Sequence, residues 1–450
     1  MNLKGQRVTV MGLGLFGGGV GAVRFLVREG AVVTVTDLRE KKDLRASVRA
    51  LNGLPIAFKL GGHEETDFRN ADLIVANPAV PRSSQYLKIA ESAGVPITSE
   101  ICLFVEHCPA PIIGVTGSSG KTTTTSLIGE MLKRKDKRTR IGGNIGGSLL
   151  DELDILHADV PVVLELSSFQ LDRLGDLPWS PHIAVITNFA PNHIDVHGSL
   201  QAYRKAKQQI IIYQTKSDWT IVNGEDAEVS HWAGEGQRVV FAVEGKGDVF
   251  VREGKIQHAI GGEVRTVCSV DTIFLHGRHN LANALSATGA AVISGVSEED
   301  IADVLQTFQG VPHRLEQVAE VNGVLYINDS IATSPDRTQT ALRAFDKPIV
   351  LIAGGYDKGI AFGDLGMAIE ETVTHLIVMG ETGDAIAATA KGKTNIHRVE
   401  NLQEAMGCAT GLAQAGDVVL LSPASASYDQ FRNFEERGDQ FREWVEKLRD

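Results

Sequence analysis

Cysteine is scarce: 450 residues hold four, Cys102, Cys108, Cys268 and Cys408. They fall at no paired zinc-ligand spacing and are too few for a disulfide framework. The expectation is a fold stapled by neither, at home in a reducing cytoplasm. No apolar run reaches 18 residues and the chain opens on the polar MNLKGQR, so neither a spanning helix nor a signal peptide is expected. Positive charge is also in deficit. Lys plus Arg number 44 against 56 Asp plus Glu, a net charge of -12 at pH 7. That balance argues against a general nucleic-acid binder and a polybasic membrane binder, while leaving room for a local basic patch around phosphates. Short repeats and low-complexity tracts are missing as well.

Glycine, in contrast, is plentiful at 47 residues, within an ordinary globular composition of 43% hydrophobic and 22% charged residues. The glycines cluster just after β-branched apolar runs, where tight strand-to-helix turns need positive φ or close backbone approach. Such runs recur in three blocks, alternating with helix-length segments, which is the pattern of parallel sheets with crossover helices. Length gives the same count, at roughly 150 residues per domain.

The first block has runs at 7–11, 31–36 and 72–76 and closes at the Pro-rich CPAP (Cys108 to Pro111). The second has runs at 112–116, 160–166 and 183–188, then shorter strands over about 215–275 that read as a side sheet. After the joint GVPHR (Gly310 to Arg314), the third has runs at 324–328, 349–353, 376–379 and 418–422. The expected fold is α/β in three domains: a Rossmann-like domain over 1–108, a P-loop ATPase-like domain over 109–311 and a second Rossmann-like domain over 312–450.

The sharpest chemical signal is GVTGSSGKTTTT, Gly114 to Thr125, between a strand and a helix. Backbone N–H groups of such a loop (Gly117, Ser118, Ser119, Gly120, Thr123) and the helix N-terminus bind phosphate oxygens. Lys121 adds a point charge there, and the hydroxyl of Thr122 reaches Mg²⁺. Val115 stands where the full Walker pattern has glycine, so this is the tighter T-G-x-x-G-K-T form. Glu165 closes the apolar strand in VVLELSSFQ, where a carboxylate suits a hard cation. Thr187-Asn188, then Asn192, His193 and Asp195, would share the same rim.

Lys207 lies four residues after Tyr203 on one helical face, and pattern alone reads it as a solvated lysine. The basic run Lys133 to Arg140 reads as a helix end and exposed turn. In the first block, Gly12, Gly14 and Gly17 follow a strand and Asp37 lies 20 residues past Gly17, the dinucleotide fingerprint, which alone suggests NAD; the diphosphate of another nucleotide would suit the same loop. In the third block, Asn328-Asp329-Ser330, Gly354 to Lys358 and Ser422 to Ser427 are polar strand ends that suggest one cleft.

Taken together, the loop TGSSGKTT, GNIG, LELSSFQL, NHIDVH, YRKAK, GRHNLANALSA, PHRLE, NDSIATSP and SPASASYDQFRNFEERG resemble the Mur ligases over nearly the whole chain. These are ATP-dependent amide-forming enzymes of peptidoglycan precursor synthesis, and the last two motifs look like the D-glutamate-adding branch. The resemblance implies ATP and Mg as cofactors and UDP-N-acetylmuramoyl-L-alanine and D-glutamate as substrates, in a cytoplasmic monomer without nucleic-acid or membrane partners. It places Lys121 on the β- and γ-phosphates, Thr122 and Glu165 on one magnesium and His193 on a second. It makes Lys207 a carbamylated lysine, sets Asn280 and Asn283 at the adenine, and has Arg314 and Asp329 complete the ATP clamp.

Leu15, Phe16, Asp37 and Arg39 would lie near the uracil and diphosphate, with Asn144 and His193 on the sugar side. Thr333, Lys358, Ser427 and Phe434 would hold D-glutamate. The family usually has other residues where Asn77, Asn192 and Ile331 stand. A sibling ligase for another amino acid, a folylpolyglutamate-synthase-like enzyme, a nucleotide switch protein and an NAD-dependent oxidoreductase are the competing readings.

Overall fold

A computed structural model of the chain describes residues 2–15, 17–275, 277–357, 359–390, 392 and 394–449, with Asp195 described in its backbone only. Two compact units are present, Met1–Phe308 and Gln309–Asp450. The first carries two sheets and the second one.

The first sheet runs, in spatial order, Ile56–Leu60, Val32–Asp37, Arg7–Met11, Leu73–Ala76, Ile97–Thr98, all parallel. Its order reverses on either side of Arg7–Met11, which puts the glycine turn Gly12–Gly17 at the topological switch point, where open parallel sheets hold their ligands. The second sheet has nine strands. Its P-loop strand Ile112–Thr116 lies between Ile183–Ile186 and Val162–Glu165, with Arg140–Gly143 at the edge beyond. These strands are short, rich in Val and Ile and almost wholly buried, as strands covered by helices on both faces must be.

The stretch over 215–275 departs from the expected side sheet. Trp219–Asn223, Gln237–Ala242 and Val249–Arg252 extend the main sheet in parallel, and only Lys255–His258 and Arg265–Ser269 turn antiparallel. The crossover between Trp219–Asn223 and Gln237–Ala242 holds a single 3₁₀ turn, Val229–His231, so the alternation of strand and helix that marks a parallel sheet in sequence is absent there.

The two sheets of the first unit share one apolar core. A continuous buried cluster runs from Leu3, Val10 and Phe25 through Leu103 and Phe104 to Leu149, Leu164, Ile186 and Ile210. Helix Glu100–His107 is its keystone, packing on Gly18–Arg28 and also on Leu149–Ile155 and Ser168–Leu174.

In the second unit the order is Glu316–Val321, Val324–Asn328, Val418–Leu421, Ile349–Gly354, Val373–Met379, Asn395–Arg398, parallel except for the first pair. The three polar strand ends read from the sequence therefore follow three adjacent strands.

Candidate functional site

The P-loop is built by backbone that only glycine can follow. Gly117 has φ +154° and Gly120 φ +78°; a Cβ would lie 1.9 Å from Thr187 Oγ1 at the first and 2.3 Å from Asn283 Oδ1 at the second. The end of the neighbouring strand braces the turn from below. Thr187 Oγ1 donates to Ser119 O at 2.6 Å, Asn188 Oδ1 accepts from Ser119 N at 2.9 Å, and Ser118 N donates to Asn188 O at 3.0 Å. Helix Lys121–Lys135 then begins at Gly120, presenting its first backbone N–H groups and its dipole to whatever the loop holds. Asn283, buried on helix Arg278–Ile293, accepts from Thr124 Oγ1 at 3.4 Å. It is thus a brace of the P-loop helix, and Asn280 lies one turn nearer the helix start.

Two lysines meet at one oxygen. Lys121 Nζ donates to Gly117 O at 3.0 Å and to Ser118 O at 3.2 Å, and Lys207 Nζ donates to the same Gly117 O at 2.7 Å and to Thr116 Oγ1 at 3.3 Å. The pattern reading of Lys207 as solvated is overturned: it is 1% exposed. Its helix, Leu200–Ile212, turns Tyr203, Ala206, Lys207 and Ile210 inward together. Burial and the nearby Lys121 charge push the Lys207 ammonium well below the usual lysine range, with Glu165 pulling the other way.

Tyr203, whose role no sequence signal gave, packs over Lys207 and reaches the P-loop. Its ring lies 5.0 Å from Lys207 Nζ and its hydroxyl 3.0 Å from Ser118 Oγ.

Glu165 is 2% exposed; its Oε1 accepts from Asn144 Nδ2 at 2.8 Å, while its Oε2 is buried without a hydrogen-bond partner. An ionisable oxygen left unpaired in the interior is costly, and at the end of the strand paired with the P-loop strand it fits a hard divalent ion. Magnesium suits such a sparse donor set, because it takes one or two carboxylates and fills its shell with phosphate oxygens and water. No group of three or more His, Cys, Asp or Glu side chains placed to hold a metal ion occurs among the described residues.

His193 is exposed with φ +51°, its ring 5.2 Å from Phe169 and 6.3 Å from Tyr203. The basic run 133–140 serves local pairs: Lys133 with Glu130, Arg134 with Asp303, Arg138 with Asp136 and Asp159, Arg140 with Glu152.

At the first sheet's switch point, both oxygens of the buried Asp37 are engaged by backbone, with Gly14 N at 3.2 Å and Arg39 N at 2.9 Å. The acid thereby ties the glycine turn to the end of its own strand. Leu15 packs partly on the core, Arg39 is exposed, and Phe16 lies outside the described residues. Asn77, across the switch point, donates to Gly12 O at 3.2 Å.

In the second unit, Asp329 is 4% exposed, accepts from Ser422 Oγ at 2.8 Å and Leu315 N at 3.1 Å, and is pushed by burial up to about 7. Arg314 is exposed, Thr333 is half-buried and Ser427 is buried. The Phe434 ring meets His313 edge-on at 6.0 Å. Lys358 lies outside the described residues.

Sequence reasoning missed Arg437, a guanidinium with no exposure that burial lowers to about 9. It donates to Ser330 Oγ at 3.0 Å, Ser330 O at 2.9 Å, Ser425 O at 3.2 Å and Ala426 O at 3.2 Å. It joins two of the three polar strand ends. The signal was there: Arg437 falls on the apolar stripe of its helix, four residues before Phe441 and eight before Val445, all three buried.

Comparison with known proteins covers the chain end to end. Three family models match: a Mur ligase MurD-like N-terminal domain over residues 6–99, a Mur ligase middle domain over 115–291, and a Mur ligase glutamate ligase domain over 313–425. A protein named UDP-N-acetylmuramoylalanine--D-glutamate ligase from Roseiflexus sp. strain RS-1 is 44% identical, with 100% of both chains covered. One of the same name from Symbiobacterium thermophilum is 40% identical over 98% of each. Among solved structures, the UDP-N-acetylmuramate-alanine ligase of Thermotoga maritima superposes with a TM-score of 0.59 at 21% identity, covering 98% of this chain and 99% of its own. A murein peptide ligase from Psychrobacter arcticus gives 0.56 at 16%, over 97% and 99%. At that identity these two speak for the fold alone.

Proposed function

The chain belongs to the Mur ligase family, and from that premise we propose that it joins D-glutamate to UDP-N-acetylmuramoyl-L-alanine with cleavage of ATP to ADP and phosphate, a step of peptidoglycan precursor synthesis. Full-length relatives at 40% and 44% identity carry that name, which supports the choice of amino acid. The observation that carries the chemistry is Glu165 Oε2, buried and unpartnered at the strand end beside the P-loop. We place the reaction in the cytoplasm and the enzyme as a monomer. No helix among the described residues is long and apolar enough to cross a membrane.

A carboxylate is a poor electrophile, so it must first exchange an oxygen anion for a leaving group. The alanyl carboxylate oxygen attacks the γ-phosphorus of ATP; an O–P bond forms, the bond to ADP breaks, and an acyl phosphate results. The glutamate amine then attacks the acyl carbon, a C–N bond forms, inorganic phosphate leaves, and the amine proton passes to solvent.

Several anions converge in this sequence, and without counter-charge their repulsion would stop the first step. Lys121 and the N–H groups of Gly117 to Thr123 take the phosphates. Thr122 and Glu165 would hold one magnesium, with His193 at a second; bound metal supplies electrostatic neutralisation of the transferring phosphoryl group. Lys207 supports this arrangement as a carbamate, formed when its neutral amine adds CO₂ and releases a proton. The modification turns the Lys121–Lys207 repulsion at Gly117 O into attraction, and its clash with Glu165 calls for a cation between them. Asn280, Asn283, Arg314 and Asp329 are assigned to ATP. Leu15, Phe16, Asp37, Arg39 and Asn144 are assigned to the uridylylated sugar, and Thr333, Lys358, Ser427 and Phe434 to D-glutamate.

The test is ADP release by the purified protein with magnesium, the muramoyl-alanine precursor and a panel of amino acids. Release with D-glutamate and not with L-glutamate, L-alanine or diamino acids is the expected result. A different preferred amino acid would make it a sibling ligase, and no release with any of them would end the reading.

A further inference from the structure

The loop that follows strand Leu73–Ala76 touches both halves of the first unit. On one side it packs against the glycine turn. Asn77 Nδ2 donates to Gly12 O at 3.2 Å and its Oδ1 accepts from Ala79 N at 3.0 Å. A Cβ on Gly12, whose φ is +86°, would lie 3.0 Å from Asn77 Cβ and 3.6 Å from Val80 Cγ2. On the other side the loop grips helix Ser168–Leu174. Arg82 Nε donates to Asp172 Oδ2 at 2.5 Å, and its Nη2 donates to Asp172 O at 2.6 Å and to Asp176 Oδ2 at 2.9 Å. From the helix, the buried Arg173 donates through Nη2 to Val80 O at 2.8 Å. Two guanidinium groups and two carboxylates make this latch electrically balanced, and a planar guanidinium that reaches the Asp172 carboxylate, the Asp172 carbonyl and Asp176 at once fixes direction as well as distance.

The helix end of the latch is tied in turn to the phosphate loop. Helix Ser168–Leu174 begins three residues after Glu165 under a capping box in which Ser167 Oγ accepts from Gln170 N. Thr116 Oγ1, on the P-loop strand, donates to Leu166 O at 2.8 Å. An unbroken run of contacts therefore leads from Gly12 through Asn77, Val80 and Arg82 to the helix, and from there to Glu165 and Thr116.

We infer that Arg82 is a positioning residue for the ligation: it sets the glycine turn of the first sheet at a fixed place relative to the strand end that carries Glu165. This rests on the proposed function, in which that turn takes the uridine diphosphate and the muramoyl-alanine tail must reach the γ-phosphate. Misplacement of a reacting carboxylate by about 1 Å costs on the order of a hundredfold in rate, so a latch between the two binding surfaces acts on the sugar substrate and leaves nucleotide binding alone.

The experiment measures kcat, and KM for the UDP-sugar and for ATP, in Arg82→Ala, Asp172→Ala and the double variant, with Arg82→Lys alongside. The expected result in Arg82→Ala is a fall in kcat of about tenfold to a hundredfold and a rise of about tenfold in KM for the UDP-sugar, with KM for ATP within about twofold and a double variant no worse than Arg82→Ala, as coupled partners behave. Arg82→Lys, which keeps the charge but not the fork, recovers part of the loss. Equal rises in both KM values, additive losses, or no change in either would overturn the positioning role. Should Arg82→Ala fail to fold, Arg82→Lys and Asp176→Asn carry the same comparison. A wild-type chain that ignored the UDP-sugar would overturn the proposed function first, an outcome separable from any result on the variants.

Discussion

The Gly117 carbonyl is the residue-scale crux of the first unit, because it accepts from two lysines at once. Two ammonium groups at that separation are tolerable only if one is readily neutral, and burial makes Lys207 that one. Lys207→Ala is therefore expected to lower turnover by at least about a hundredfold, the size of effect seen when one electrostatic stabiliser is removed. Short carboxylic acids such as acetate or formate should restore part of it by filling the space of the carbamate. Intact turnover in the variant, measured as ADP release, would argue against the modification. In the second unit Asp329 makes a different kind of prediction. Its folded value of about 7 lies above its ordinary 3.8, so the folded state holds a proton that the unfolded chain has released. Stability from this group is full below about pH 4 and is lost as pH rises towards and through 7, by up to about 4 kcal/mol. Asp329→Asn has no such loss. Its melting temperature relative to wild type should climb between pH 5 and pH 8, and a pH-independent difference would count against the assignment.

Helix Phe434–Glu446 organises the strand ends it packs against. Arg437 ties the end of Val324–Asn328 to the Ser422–Ser427 loop, and Gly438 lets the helix approach so closely that a Cβ would lie 2.1 Å from His313 Nδ1. Arg437→Met removes the donor to Ser330 O and Ser425 O, while Ala426 O keeps Tyr356 N and Ser330 Oγ keeps Phe434 O; it is expected to cost about 3 kcal/mol in the unfolding of residues 309–450 and to raise KM for D-glutamate more than KM for ATP, and equal effects on both would leave the helix a purely structural role. Interior elements like these were legible in the sequence: the runs at 7–11, 112–116, 183–188, 324–328, 349–353 and 418–422 are apolar because strands covered on both faces must be, and TGSSGKTT announces its turn through glycines that nothing else can replace. Five strands were not legible, namely Ile56–Leu60, Ile97–Thr98, Arg140–Gly143, Glu316–Val321 and Asn395–Arg398, and each is the outermost strand of its sheet. Edge strands face solvent along one side and carry mixed, charged sequences that blunt pairing, so periodicity says little about them. Lys207 and Arg437 eluded pattern for a related reason. A charge on a helix face reads as solvated unless the pocket that buries it is known.

At the scale of the whole molecule, the two sheets of the first unit are separate in hydrogen bonding but not in packing. Leu103 and Phe104, on the last helix of the first block, belong to the same buried cluster as Leu149, Leu150, Leu164 and Leu171 of the second. Polar links reinforce the contact at several points. Ser148 is hydrogen-bonded to Glu100, Arg24 pairs with Asp151 at 3.2 Å and Arg28 with Asp154 at 3.0 Å. Exposed ion pairs contribute little each, so the shared apolar surface is the main tie, and cooperative unfolding follows contiguous packing rather than sheet boundaries. Residues 1–308 should accordingly unfold in one transition on titration with urea, reported alike by hydrogen exchange in strands 7–11 and 112–116. A chain cut to begin at residue 109 loses the cover over Leu149, Leu150 and Leu171, and it is expected to bind a hydrophobic dye and to melt without a sharp transition. A truncated chain that melted as cooperatively as the intact one, or protection lost in the first sheet well before the second, would show that the first block folds as a domain apart and that the common core contributes little.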